Sequence, residues 1–328
     1  MDTEFHYYIT GIIAHAAGFS QKDATRIAWA SEFTDENDEV VRVQNRNNDE
    51  IYENYISQTM NILKPKHTLM RIYPIFHFVP GEPNDPNARR RDGKMHILNT
   101  TPDNGLAGLL FDEALNNSSE TRLYRIGIAT HAYADTWAHQ NFVGWYDYFN
   151  NIALDPKPDI GHADAEHHPD WIAHRWDDNR LVDGQVDNTR RFLQAAECIY
   201  QRYRNHLQTK AIAANLSWSE LQSDLYGAMG GTTYSGCKNI NEKIRLQAYK
   251  KLAPWLKNFN KNSWKQEAMQ GSILELLTDN CWYAWREDVD YEKTNWYCFQ
   301  EAVKEHQATA MKHLEPTFSQ MGIDLHIV

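Results

Sequence analysis

The stretch His131-Ala-Tyr-Ala-Asp135-Thr-Trp-Ala-His139 sets the reading of this chain. Its histidines and aspartate stand at i, i+4 and i+8. On an α-helix each four-residue step drifts by only about 40°, so the three side chains share one face. Imidazole and carboxylate one turn apart is a spacing that chelates a metal ion. A buried His–Asp hydrogen bond beside an exposed histidine would use the same residue types. The composition of the neighbouring chain favours metal. Six of the fifteen histidines fall between 131 and 174, namely His131, His139, His162, His167, His168 and His174. Asp159, Asp164, Glu166 and Asp170 are interspersed among them. A helix offering ligands and a His/Asp-rich loop offering more is a common way to complete a site.

Outward from this stretch, helical signals dominate. The ligand helix is expected from about Ser119 to Phe142, ending before Gly144. Residues 5–17 form an apolar run that stops at Gly18, a residue suited to the left-handed position after a helix. Ser20 with Asp23 opens a second helix, and Ser217 with Glu220 forms a capping box for another. Residues 50–63, a segment beginning at Thr101-Pro102, and residues 241–258, 263–278 and 295–314 carry helical patterning. The best strand candidate is 68–79, weakened by Pro74. Residues 80–94 and 144–187 read as loops, and long ordered loops tend to be functional. The expected fold is an all-α multi-helix bundle with long ordered loops. Residues 1–190 form its metal-binding core, and 191–328 a helical extension packed on it within one continuous domain.

Bulk composition limits the partners. The chain has 328 residues, of which 42% are hydrophobic and 23% charged, as in soluble globular proteins. The formal net charge of −11 argues against a general nucleic-acid binder, whose affinity rests on neutralising phosphates. It leaves a nuclease open, because bound cations would offset local negative charge. Cys198, Cys237, Cys281 and Cys298 show no C-x-x-C spacing and read as reduced thiols. Without a signal-peptide pattern or an apolar membrane-spanning run, cytoplasmic residence is the default, and specialised secretion would be invisible in the sequence.

Beyond the helix, His6, Asp35 and His77 join the candidate ligands. Their order with His131-x-x-x-Asp135, His139 and His162 resembles the zinc-dependent phospholipase C and fungal single-strand nuclease superfamily. Phe76-His77-Phe78-Val79 is similar to that superfamily's second histidine segment, and Ala30-Ser31-Glu32-Phe33-Thr34-Asp35 to its first aspartate segment. Phe5-His6-Tyr7-Tyr8 and the block from His131 to Gly144 also resemble a related bacterial family of uncharacterised function. The resemblance covers residues 1–175. It implies an all-α fold holding two or three zinc ions. Asp35, His77, His131 and Asp135 would hold one, with Asp135 bridging; His139, His162 and a carboxylate would hold a second; His6 and Asp135 would help to hold a third. The spacing from Asp135 to His139 is shorter than is usual in that superfamily, and Met1 stands near where its N-terminal Trp ligand would be. The last carboxylate is open between Glu166, at His-x-x-x-Glu spacing, Asp164 and Asp170.

The chemistry implied is phosphodiester hydrolysis, of phospholipase C or nuclease type. Two metals about 3.5–4 Å apart clamp a phosphoryl group and acidify a water, and the hydroxide attacks phosphorus in line. Asp35 and Asp135 would serve as ligands and as acceptors toward that water. Asn37, Thr130 and Gln140 are the nearby candidates to orient the imidazoles. Arg89, Arg90 and Arg91 form the one basic cluster that stands out, and arginine forks match phosphate. A solvated charge run would look the same. Trp137, Trp145, Tyr146, Tyr148 and Trp171 flank the site, with Trp137 expected in the core. The substrate would carry a phosphoester on a lipid headgroup, a nucleic acid or a small molecule. Two alternatives stand beside this one. A metal-stapled helical interaction protein would show only closed coordination. An HD-like phosphohydrolase would need an adjacent His-Asp pair, and the chain has none.

Overall fold

A computed structural model describes residues 1–45, 50–59, 61, 64, 66–152, 157–232, 238–274 and 281–322. The N-terminus opens with a π-helical turn, Glu4–Ile9, running into α1, Thr10–Ala17. Gly18 ends it at φ 119°, the left-handed position anticipated for it. Ser20 caps α2, Gln21–Glu36, by accepting from the Asp23 amide. Two short strands come next, β1 (Val41–Gln44) and β2 (Ile51–Glu53), then α3 (Lys66–Met70) and a second π-helical turn, Tyr73–His77. Asn104 caps α4 (Gly105–Asn116), and the ligand helix α5 spans Arg122–Ala138. The loop beyond it holds four short strands: β3 (Tyr146–Asp147), β4 (Asp159–Ile160), β5 (Arg175–Asp177) and β6 (Gln185–Asp187). The remainder comprises α6 (Asn188–Gln208), α7 (Trp218–Met229), α8 (Glu242–Leu252), α9 (Ser263–Ala268), β7 (Met269–Leu274), β8 (Cys281–Trp285) and α10 (Asn295–Gln320).

The all-α expectation is therefore corrected to a mixed fold. Among the described residues there are three sheets: a four-stranded sheet in the order β2-β1-β8-β7, and the pairs β3-β4 and β5-β6. In the larger sheet β1 runs parallel to β8, with Val41 opposite Cys281. The physical reason for the misreading is length. Strands of two to six residues are too short to display a period of two. Residues 51–53, expected within a helix, pair with β1, and 269–274, expected to continue α9, pair with β8. Of the rest of those two expected helices, 54–59 and 61 are irregular, while 60, 62–63 and 275–278 lie outside the described residues, as does Cys237. In 68–79 the error runs the other way, because a buried apolar run is ambiguous between strand and helix. Here it forms α3 and the second π-turn, in which the Phe78 amide donates to the Tyr73 carbonyl five residues back.

One apolar cluster extends from Met1 and Phe5 through Ile128 and Phe192 to Phe299 and Phe318. Side chains from both sides of residue 190 share it, and that position falls in the first turn of α6. At its centre α2 packs on α5. Gly127 makes this possible, since a Cβ there would stand 2.5 Å from the Ala30 Cβ and 2.5 Å from the Ile27 carbonyl oxygen. The close approach lets His131 on α5 reach the Ser31 carbonyl of α2 at 2.8 Å. No described helix is long and apolar enough to cross a membrane.

Candidate metal centre

Packed segments from distant parts of the chain deliver the ligand side chains to one point. The N-terminal π-turn carries His6, the end of α2 carries Asp35, and the second π-turn carries His77. From α5 come His131 and Asp135. His139 stands directly after the last residue of α5 and is the first to leave helical geometry, at φ −91° and ψ 14°. All but Asp35 in this set are buried.

Each of four imidazoles is pinned by a backbone carbonyl. His131 Nδ1 donates to Ser31 O at 2.8 Å, His77 Nε2 to Ser57 O at 2.8 Å, and His139 Nδ1 to His77 O at 2.7 Å. His162 Nδ1 donates to Glu166 O at 2.8 Å. A carbonyl can only accept, so in the neutral ring each contact fixes the tautomer and leaves the opposite nitrogen with a lone pair, while for His77 burial is outweighed by the facing Asp135 and Asp35 carboxylates, which raise its pKa. Those lone pairs face carboxylate oxygens. His131 Nε2 lies 3.2 Å from His77 Nδ1, 3.3 Å from Asp135 Oδ2 and 3.6 Å from Asp35 Oδ1. His77 Nδ1 lies 3.4 Å from Asp135 Oδ2 and 3.5 Å from Asp35 Oδ1. Ligands at about 2.0–2.1 Å from a tetrahedral zinc would stand about 3.3–3.4 Å apart. The separations of the His77 and His131 nitrogens from each other and from the Asp35 and Asp135 carboxylates bracket that value.

A second group forms beside the first. His139 Nε2 is 3.3 Å from Asp170 Oδ1, and His162 Nε2 is 3.5 Å from Asp170 Oδ2. Asp170 is thus the carboxylate that meets these histidines. The other two contenders do not enter a ligand group among the described residues. Asp164 accepts from the Ile152 amide, and Glu166 gives its carbonyl to His162 while its side chain is exposed. Asp170 stands eight residues past His162, and a 3-10 turn at Ala163–Ala165 shortens the path.

His6 completes a third cluster with Asp35 and His131. Its ring stacks on that of His131 at 3.8 Å, and its Nε2 lies 3.1 Å from Asp135 Oδ1. The Met1 amino group sits 2.5 Å from Asp135 Oδ1 and 3.4 Å from Asp170 Oδ1, between the carboxylates of both groups.

The electrostatics favour positive charge here. Burial alone would raise the Asp135 carboxyl, but His139, the Met1 ammonium, His131 and His6 outweigh it and hold its pKa well below the usual range. Asp170 shows the same pattern, with burial opposed by His162, the Met1 ammonium and His139. Burial lowers the Met1 amine, yet Asp135, Asp170 and Asp35 lift it to about 11. His6 is pushed down to about 3, chiefly by burial, and so is neutral and able to ligate. Asp135 Oδ2 and Asp170 Oδ1 are buried with no hydrogen-bond donor, as are both nitrogens of His6. Buried acceptors facing lone pairs are costly. A bound cation reconciles them, so the donor set fits a divalent metal of borderline hardness such as zinc.

Both groups border a cavity of about 740 Å³. Tyr73, Phe78 and Trp171 supply apolar wall, and Phe78 stacks on the His139 ring at 4.4 Å. Gly161, at φ 55°, lies so close under Phe78 that a Cβ would meet the ring at 2.5 Å. No lysine or arginine lines this cavity among the described residues. The arginine cluster lies elsewhere. Arg90 is buried, with its guanidinium over the Phe149 ring and donating to the Phe149 carbonyl, while Arg91 donates to Leu181 O. The Arg89 carbonyl accepts from the Val182 amide, and its side chain is not part of the cavity wall. Trp137 is in the core, as expected. Of the other flanking aromatics only Trp171 lines the cavity.

The imidazoles are oriented by main chain rather than by the side chains anticipated for that task. Thr130 bonds to Ile126 O and the Tyr203 hydroxyl, away from the site. Carbonyls occur at every residue, so no sequence signal marks Ser31, Ser57, His77 or Glu166 as acceptors.

No curated protein and no solved structure matches the chain. One family model, described as a family of unknown function (DUF6765), matches residues 1–314, and the chain belongs to that family.

Proposed function

We propose that this chain is a metal-dependent phosphodiester hydrolase holding two or three divalent ions, with zinc the best fit. The reading is carried by one observation: buried imidazole lone pairs face buried, donor-free carboxylate oxygens at separations expected around tetrahedral zinc. When bound, divalent ions supply Lewis acidity toward a phosphoryl group and lower the pKa of a water. Asp135 borders all the ligand clusters and would tie them together. Asp35, half-buried at the cavity edge, would act as a ligand and accept a proton from water entering there. Phe78, Tyr73 and Trp171 would exclude bulk water from the reacting group. With no lysine or arginine in the wall among the described residues, the phosphoryl oxygens would depend chiefly on the metals for charge neutralisation. The first group offers four ligands, whereas His139, His162 and Asp170 offer three beside an open cavity. A three-ligand centre with an open position is the catalytic pattern, and it favours hydrolysis over a purely structural role.

Metal analysis of the purified protein and of Asp135→Asn, with a panel of phosphodiesters, tests this. Two or three equivalents of zinc are expected in the wild type, with most of it lost from the variant together with hydrolysis. Unchanged metal content in Asp135→Asn would sink the assignment. Stoichiometric zinc with no cleavage across the panel, metals varied, would leave the metals structural.

A further inference from the structure

Behind the four-ligand group, a chain of buried polar contacts leads to the C-terminal helix. His77 is aimed by its donation to the Ser57 carbonyl. Ser57 is in turn held by three contacts. Its amide donates to Asn37 O at 3.1 Å, its hydroxyl donates to Thr34 O at 2.8 Å, and the same hydroxyl accepts from Asn37 Nδ2 at 3.2 Å. The Asn37 amide thus sets the peptide that orients His77. Its oxygen accepts from Gln300 Nε2 of α10 at 2.8 Å and from Asn54 Nδ2 at 3.2 Å. Gln300 and Ser57 are fully buried, and Asn37 and His77 nearly so. Gln300 touches no ligand of either group.

We infer that Gln300 is a positioning residue for the four-ligand group, acting through Asn37 and Ser57 on the tautomer and aim of His77. The inference rests on the metal-binding reading above. Water cannot replace the lost donor in a fully buried site, so without Gln300 the Asn37 oxygen loses its closest partner. Asn37 keeps its donations to Tyr55 O and Ser57 Oγ and its contact from Asn54, so its aim loosens, and with it one of the three contacts that fix the Ser57 peptide. Outer partners of ligating histidines typically contribute about 10–100-fold in metal affinity. The relay ends on the His77 imidazole; in the three-ligand group His162 rests on the Glu166 carbonyl and His139 on the main-chain carbonyl of His77, so the link there runs through backbone and not through the imidazole.

The test is stepwise zinc and cobalt titration of full-length wild type, Gln300→Met and Asn37→Ser, with chelator competition and the cobalt visible spectrum as readouts. Gln300→Met keeps the length of the side chain and removes the donor, and Asn37→Ser cuts the relay at its middle. Thr309→Val, which removes a hydroxyl that joins the same helix to Arg125 of α5 and takes no part in the relay, is the control for general loosening. The expected result is a loss of about tenfold in affinity for one ion, with an altered cobalt spectrum, while the other ion and the control are unchanged. Equal weakening of both ions, or of the control, would make Gln300 a packing residue and overturn the inference. Unchanged binding in both relay variants would overturn it as well while leaving the metal-binding reading intact. A wild type that binds no metal would bring down that reading, and this inference with it. Thermal unfolding of the metal-free variants identifies loss of fold, and if one unfolds the other carries the comparison.

Discussion

The two ligand groups around Asp135 differ in how they are built. Asp35, His77, His131 and Asp135 come from core helices and a π-turn packed behind them. His139, His162 and Asp170 come from the end of α5 and the loop beyond it. In the first group His131, Asp135 and His77 are 0%, 1% and 3% exposed but Asp35 is 31%, whereas in the second His139, Asp170 and His162 are 6%, 11% and 20% exposed. The first group draws on four protein side chains and the second on three, and both border the cavity. On the metal-binding reading proposed above, the difference would separate two tasks. A centre set in rigid elements keeps its geometry, and one that closes with a loop can admit a substrate.

The comparison is broken most severely by removing one imidazole from each side. His77→Ala should lose the closed group's ion and, because that ion shares Asp135, disturb both. His162→Ala should lose only the open group's ion, leaving about one equivalent fewer zinc and no hydrolysis. Metal content and turnover measured on the same preparations check this. Equal metal loss in both variants would erase the distinction between the groups.

A finer cut separates Asp170 from Glu166. Asp170→Asn should weaken the open group's ion by about a hundredfold or more, beyond the usual effect of an outer partner. Glu166→Gln should change zinc affinity by less than about threefold, because only its backbone carbonyl touches His162. Competition with a chelator measures both. Ligation by Glu166 would reverse the order.

The smallest effect concerns the support of the closed side under acid. His306 on α10 lies against the Phe76 ring, next to His77, with both nitrogens lacking a hydrogen-bond partner. Burial, then Arg125, pushes its pKa from 6.5 down to about 3. The unfolded chain therefore takes up a proton below 6.5 that the folded chain refuses until about 3. Stability falls as pH drops through that window. His306→Met removes this term, so its stability relative to wild type should improve by about 2 kcal/mol between pH 7 and pH 5. Denaturant titrations of the metal-free proteins at the two values measure it. Parallel losses in variant and wild type would show that His306 is not a source of the acid sensitivity.

Legibility differed along the same line. His131, Asp135 and His139 were readable because a long helix imposes a period of 3.6 and nothing else in the segment competes with it. His6, Asp35 and His77 stand out only as an ordered set, since each alone resembles a surface or core residue, whereas His162 is legible in the histidine-rich loop. Asp170 could be named only among rivals, because a loop imposes no period from which a neighbour in space can be deduced. Arg90 looked like a phosphate ligand by its charge, and it is committed to the Phe149 ring and carbonyl.

The sequence by itself determined the ligand helix, the caps at Ser20 and Ser217, the stop at Gly18 and the residue types gathered at the centre. These are local matters, decided by spacing, by side-chain donors and by backbone freedom within a few residues. Tertiary structure alone decided the rest. It paired β1 with β8, turned the run at 73–77 into a π-turn and chose Asp170. It also assigned four anonymous carbonyls to hold the imidazoles. Most of those outcomes join partners distant in sequence, and their energy arises only when burial removes water from both.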